Sequence, residues 1–381
     1  MSNGKQRNDS SKTTGNDGRV KNSLFALLRI AIWPDRPVED FAPLTDGQWE
    51  ALYETAKKQT LCGVLFDGCK RLPLSLQPNE ELRTKWAMRV LRIEEQNHKM
   101  NRAAAWVTRN FAQEGFRSCI LKGQGVALFY PNPLHRQAGD TDIWVEGGRK
   151  RILPYLRSVG PTGEVVYHHI GFPIHRKLDI EVHTTPTWMN NPLRNRRLQR
   201  ILLAWSDKCF SHRETLADGQ TIYTPCDEIN QLFLLIHLYR HLFDEGVGLR
   251  QLTDYALMME RTFTPQTAVV LRNNLRQLGL LPFAGAVFHV LTRYLGYPAG
   301  KVPVGLDEKR GEAFIEEILA AGNFGQYDER NRHRADESAG RRFLRKVKRN
   351  LRFLIDYPDE TLSSPLFKIG HYVWRKANGF V

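Results

Sequence analysis

Strand-forming runs in this sequence are confined to one short stretch, about residues 117–183, and helical patterns fill both sides of it. From Asn22 to about Gly115 the apolar residues recur at helical spacing. In TDGQWEALYETAKK, Trp49, Leu52, Tyr53 and Ala56 share one face behind a Thr45/Asp46 cap. NEELRTKWAMRVLRIEEQNHKMNRAAAWVTRNFAQEG continues as one or two long helices that end near Gly115. From Pro225 the pattern is helical again, strongest in DEINQLFLLIHLYRHLFDEG and LRQLTDYALMMERT. The layout predicts an α+β protein with a small mixed sheet in a core of roughly a hundred residues between helical regions. We divide the chain into a disordered polar tail (1–21), an N-terminal helical region (22–115), the mixed core (116–225) and a C-terminal helical region with a basic tail (226–381).

Inside the core the signals are local. Cys119, Ile120 and Leu121 form a short apolar strand, Gly123 and Gly125 mark a tight turn, and Val126 to Tyr130 starts a helix that Pro131 stops. TDIWVE is a second strand, and GGRKRILPYLRSVG a short helix despite Pro154. EVVYHHIGFPIHRKLDIEVHTTP reads as a β-hairpin about a Gly-Phe-Pro turn. Its second arm alternates, with Ile174, Leu178, Ile180 and Val182 on one face and Asp179, Glu181 and His183 on the other.

Composition narrows the setting. Hydrophobic content of 41% and charged content of 25% are those of an ordinary soluble globular protein. No signal-peptide pattern opens the chain, and the apolar run Leu24–Trp33 is far too short to span a bilayer. Five cysteines without a CxxC pair suit a reducing compartment, so the expected location is the cytoplasm. The net charge is +14, and residues 331–381 hold 12 Lys/Arg against 5 Asp/Glu, half of that surplus. In RRFLRKVKRNLRFLIDYP, Phe343, Leu344, Val347, Leu351, Leu354 and Ile355 make an apolar stripe opposite Arg and Lys. That helix is either a solvated basic face or a contact for a polyanion.

The chemistry centres on Asp140 and Asp142, two apart at the entrance of the second strand. In a strand such residues share a face with Cα atoms roughly 6–7 Å apart. Two carboxylates that close need a cation between them, or one takes up a proton. Transfer of a phosphoryl or nucleotidyl group calls for Mg²⁺, a hard ion held by one or two carboxylates together with substrate phosphates. A third acid on a neighbouring strand completes such a site, and Glu181 and Asp179 both sit on the polar face of the hairpin. The strand–glycine turn at Ile120-Leu121-Lys122-Gly123 points backbone amides toward a phosphate.

At these residues the chain resembles a bacterial nucleotidyltransferase family with a polymerase-β-like core. The resemblance rests on LKGQGVALFYPNPLHRQAGDTDIWV, which has the Lys-Gly turn, Tyr-Pro-x-Pro, an Arg and Asp-x-Asp, and on Ile180-Glu181-Val182-His183. It covers most of residues 45–260 and takes in the Trp49 helix and the segment His237 to Asp254. It implies Mg²⁺- or Mn²⁺-dependent transfer of a nucleoside monophosphate from a nucleoside triphosphate, such as ATP, to an acceptor hydroxyl. On that reading Asp140 and Asp142 bind the metals, and Glu181 is the third carboxylate, orienting or deprotonating the acceptor. The Gly123 turn, Lys122 and Arg136 face the phosphates. The superfamily has Gly-Gly or Gly-Ser at this turn, whereas here Gly123 is followed by Gln124-Gly125. The acceptor is left open among sugar, small metabolite, RNA end and protein hydroxyl.

Two other functions share some of these features. A nucleotidyltransferase-like module without activity would bind RNA or a protein partner through its basic surface, but all three acids are present here. A DxD glycosyltransferase would place alternating strands and helices before the motif, where this chain is helical. His237 and His241, spaced i, i+4, lack the Glu of a zinc-protease helix and either line the cleft or ligate a metal.

Overall fold

The computed structural model describes residues 7–38, 40–173, 180–326 and 338–380. Its architecture is α+β, with a four-stranded sheet set into a body of helices. β1 (Ser118–Leu121) pairs antiparallel with β2 (Thr141–Val145). β3 (His169–Gly171) pairs antiparallel with β4 (Ile180–His183), and β4 lies parallel to β2, giving the order β1-β2-β4-β3. The parallel step is made through the helix Gly148–Val159. A second sheet, β5 (Arg213–Thr215) with β6 (Thr221–Tyr223), was not foreseen, because three-residue strands are too short to show a period.

The helical flanks follow the sequence closely. Thr45 caps the helix Asp46–Lys58 by accepting from the Gln48 N–H, and the Thr45 N–H donates in return to Gln48 Oε1 at 3.0 Å. That helix buries Trp49, Leu52, Tyr53 and Ala56. One helix, Glu80–Gln113, spans the next segment behind an Asn79 cap. The supposed tail differs: a helix Arg7–Ile32 begins inside residues 1–21. Val20, Leu24, Leu27 and Leu28 bury against the body, and propagation from that anchored face carries the helix toward the N-terminus.

The sheet separates two apolar clusters. Cys119, Leu121 and Trp144 belong to the larger one, which runs through the helical body; Ile120, Ile143, Val145, Ile170, Ile180 and Val182 belong to the smaller. The alternation expected for Ile180 and Val182 against Glu181 and His183 holds. Ile174, Leu178 and Asp179 lie outside the described residues.

The basic C-terminal helix departs from its expected stripe. The helix Ala339–Asn350 gives way to a tight turn at Leu351–Phe353, which breaks the 3.6-residue period. Leu344, Leu351 and Ile355 are exposed, Ile355 at 90%, whereas Arg349 and Asn350 are buried. Arg349 Nη2 donates to the Leu242 carbonyl at 3.0 Å, which ties the buried guanidinium to the helical body. Phe353 and Tyr357 pack on Phe243 instead. No helix among the described residues is long and apolar enough to cross a membrane.

Candidate functional site

β1 ends by placing Lys122 at φ 50°, ψ −133°, a backbone region that costs a side-chain-bearing residue about 1–3 kcal/mol. The chain then turns into a helix of only five residues, Gly123–Ala127. Gly125 is required there: a Cβ at this position would lie 2.8 Å from Thr224 Cγ2, just after β6. The half-buried Lys122 ammonium sits 2.8 Å from Asp142 Oδ2, which offsets the strained backbone with an ion pair.

Asp142 is directly opposite Glu181 in the parallel β2–β4 ladder, so both carboxylates project from one face of the sheet. Asp140 precedes β2 and is exposed, whereas Asp142 is 1% exposed. One carboxylate oxygen from each of Asp140, Asp142 and Glu181 lies within 4.8 Å of the others. The repulsion anticipated for the pair is met unequally. Burial alone would push Asp142 up, but Lys122 and a 2.7 Å hydrogen bond from His183 Nε2 hold it well below the usual carboxylate range. Asp140 has no hydrogen-bonded cation among the described residues, and the neighbouring Asp142 charge pushes its carboxyl up against the pull of Lys122. Lys122 is itself held above its ordinary value, because Asp142 and Asp140 outweigh its burial.

These residues open on a cavity of about 460 Å³. The sheet forms one wall with Lys122, Asp140, Glu181 and His183, and the helix Asp227–Asp244 forms another with His237, Arg240 and His241. A family model described as an uncharacterised nucleotidyltransferase matches residues 45–296. The chain belongs to that family. No curated protein matches it. Among solved structures, it is similar to an antigenic nucleotidyltransferase-like protein from Paracoccidioides brasiliensis at 11% identity and a TM-score of 0.31. That overlap takes in 56% of this chain and 96% of the fungal one, too loose a likeness to bear on mechanism.

In this nucleotidyltransferase-family chain the two cations expected to face phosphate are each engaged by a carboxylate. Lys122 pairs with Asp142. Arg136, itself buried, makes a two-pronged contact with Asp254, its Nε and Nη2 donating at 2.7 and 2.8 Å, and the Tyr130 hydroxyl donates to the same acid at 2.6 Å. Both cations still line the cavity, as does Gly123. His237 and His241 also line it, their Nε2 atoms 3.1 Å apart, and burial keeps His237 well below its ordinary value.

Two residues at the site carried no signal that drew attention to them. His169 starts β3 and His168 sits in the bend before it, so both rings turn toward Glu181 rather than to opposite faces. His169 Nδ1 is 2.9 Å from Glu181 Oε2, and His168 lies on Trp188 with ring centres 3.9 Å apart. The clue was the adjacent pair His168-His169, unusual in an otherwise apolar hairpin arm. Burial alone would push Glu181 up, but His169 and then His183 hold it below its usual range.

Proposed function

We propose that this protein transfers a nucleoside monophosphate from a nucleoside triphosphate to an acceptor hydroxyl, using a polymerase-β-like arrangement of acids and a divalent cation. The observation that carries the reading is the convergence of Asp140, Asp142 and Glu181 at two adjacent parallel strands, with Asp140 and Glu181 bordering one cavity. The donor set suits Mg²⁺ or Mn²⁺, being three carboxylates within reach of one another, two of which, Asp140 and Glu181, border a cavity with room for phosphate oxygens. When bound, the ion supplies charge neutralisation at the phosphates and lowers the pKa of the attacking hydroxyl.

Asp140 and Asp142 would hold the ion. Asp142 stays ionised through Lys122 and His183, which keeps a ligand oxygen charged in a buried setting. Glu181 would orient or deprotonate the acceptor hydroxyl. Lys122, Gly123 and Arg136 border the space for the triphosphate, with Arg136 held rigid by Asp254 and so presented without entropic cost. A reducing, cytoplasmic setting accords with five free, buried cysteines, Cys209 and Cys226 among them at 3.4 Å between sulfurs.

The test is a screen of α-labelled nucleoside triphosphates with Mg²⁺ or Mn²⁺ against cell extract, following label transfer. The wild type should transfer label and the Asp142→Asn variant should not. Absence of transfer with every nucleotide, together with absence of Mg²⁺-dependent nucleotide binding, would favour the inactive module.

A further inference from the structure

Six of the twelve histidines line the cavity, drawn from four separate parts of the chain: His168, His169, His183, His237, His241 and His371. Three of them close on a single carboxylate. His168 Nε2 is 3.0 Å from His169 Nδ1, His169 Nδ1 is 2.9 Å from Glu181 Oε2, and His183 Nε2 is 3.5 Å from the same oxygen. Ligand atoms from all four residues lie within 4.8 Å of one another.

Hydrogen bonding alone does not account for this packing. A neutral imidazole carries one N–H, and a carboxylate carries none. If His169 Nδ1 bears its proton, that one N–H faces two acceptors, Glu181 Oε2 and His168 Nε2. If it does not, a bare ring nitrogen faces a carboxylate at 2.9 Å with nothing between them. The other nitrogens add to the deficit, since the Nδ1 atoms of His168 and His183 are buried without a hydrogen-bond partner among the described residues. His183 is 2% exposed. The separations of 3.0 and 2.9 Å at His169 Nδ1 are close to the edge, about 3.3 Å, of a tetrahedron with bonds of about 2.0–2.1 Å, the bond length of a zinc-type ion to imidazole and carboxylate.

We propose that His168, His169, His183 and Glu181 bind one divalent transition-metal ion of the zinc type, beside the three-acid site and sharing Glu181 with it. Three imidazole nitrogens and one oxygen select such an ion over Mg²⁺, which takes oxygen ligands. Trp188, against His168, shields one side of the cluster from water. His183 Nε2 donates to Asp142, so the nitrogen that His183 offers the ion is Nδ1, and Asp142 orients the ring from behind in the manner of a carboxylate behind a metal-bound histidine. The inference does not depend on the transfer reaction proposed above.

The experiment uses the full-length protein stripped of metal by chelator dialysis. Zn²⁺ is titrated in competition with a chromophoric chelator, with Mg²⁺ in excess, and Co²⁺ binding is followed by visible absorption. We expect one Zn²⁺ per chain, retained in millimolar Mg²⁺, and an intense visible Co²⁺ band of tetrahedral type. His168→Ala with His169→Ala should weaken Zn²⁺ by roughly 100-fold or more, the scale on which even the outer partners of metal ligands matter. His169→Gln, at a partly exposed ring, is the milder variant should the double one fail to fold. Asp140→Asn should keep the Zn²⁺ site while losing Mg²⁺–nucleotide binding, which separates failure of this proposal from failure of the transfer reaction. Binding no tighter than Mg²⁺, a weak octahedral Co²⁺ spectrum, or Zn²⁺ affinity unchanged in the folded His169→Gln and His168/His169 variants would each overturn the assignment.

Discussion

Replacing Lys122 with Met isolates the charge that lets Asp142 remain ionised in the interior. Met keeps the length of the side chain and the same demand on the left-handed backbone, so the change is electrostatic. The pair is 2.8 Å apart, with side chains 17% and 1% exposed, so a half-buried ammonium meets a fully buried carboxylate. Removing one partner of a buried pair costs about 3–5 kcal/mol, because the remaining charge is left uncompensated. A protein of 381 residues has an unfolding entropy near the melting point of about 0.8 kcal/mol/K, so the melting temperature should fall by about 4–6 °C at pH 7. Mg²⁺ should then recover part of the loss, about 2.7 kcal/mol at a hundred times its dissociation constant, or about 3 °C. The wild type should gain less, since Lys122 already holds Asp142. Differential scanning calorimetry with and without Mg²⁺ reads both effects. A fall below about 1 °C, or a Mg²⁺ response no larger than that of the wild type, would refute the claim that Lys122 and a divalent cation serve the same carboxylate.

Other outcomes follow from the same contacts. Asp140→Asn removes an exposed acid that Asp142 already repels, so stability should stay within about 0.5 kcal/mol by urea unfolding while Mg²⁺-dependent nucleotide binding is lost. His183 is held above its ordinary value because Asp142 and Glu181 outweigh burial; its stabilisation is full below pH ~6.5 and is lost as pH rises through the raised value. His183→Gln should therefore flatten the decline in melting temperature on the alkaline side, and an unchanged slope would count against the pairing. Arg136→Met should cost about 3–5 kcal/mol in urea unfolding, and Arg136→Lys should not restore it, since an ammonium cannot make the two parallel bonds to Asp254. Arg349→Gln should lower the melting temperature yet leave retention on a heparin column unchanged, because that side chain is buried against Leu242.

The sheet and the three acids were legible because period-two patterns and i, i+2 spacing are local properties. Alternation alone put Glu181 and His183 on one face of their strand, and it took the ladder register to set Asp142 beside Glu181. What the sequence did not show depends on contacts between distant segments. Nothing near Arg136 announces Asp254, 118 residues on, and nothing near Lys122 says that its backbone will turn left-handed and its ammonium fold back on Asp142. His168 and His169 escaped notice because neighbours in a strand point apart, and only the bend before β3 brings both rings to Glu181. The C-terminal stripe misled for a related reason: a helical wheel assumes one continuous helix, and the turn at Leu351–Phe353 resets the phase.

The sheet's two faces bear on where the chain can be divided. Composition changes at about residues 116 and 225, and these look like places to cut out the strand region as a minimal unit. Yet β1 and β2 send Leu121 and Trp144 into the cluster built by the flanking helices, on the same face of β2 as Asp142. A fragment of residues 116–225 would carry those side chains into water, strip the helical wall from the cavity and leave Arg136 without Asp254. Such a fragment is expected to aggregate, and the shortest piece able to keep the acids in place has to reach back into the N-terminal helices and forward beyond Asp254.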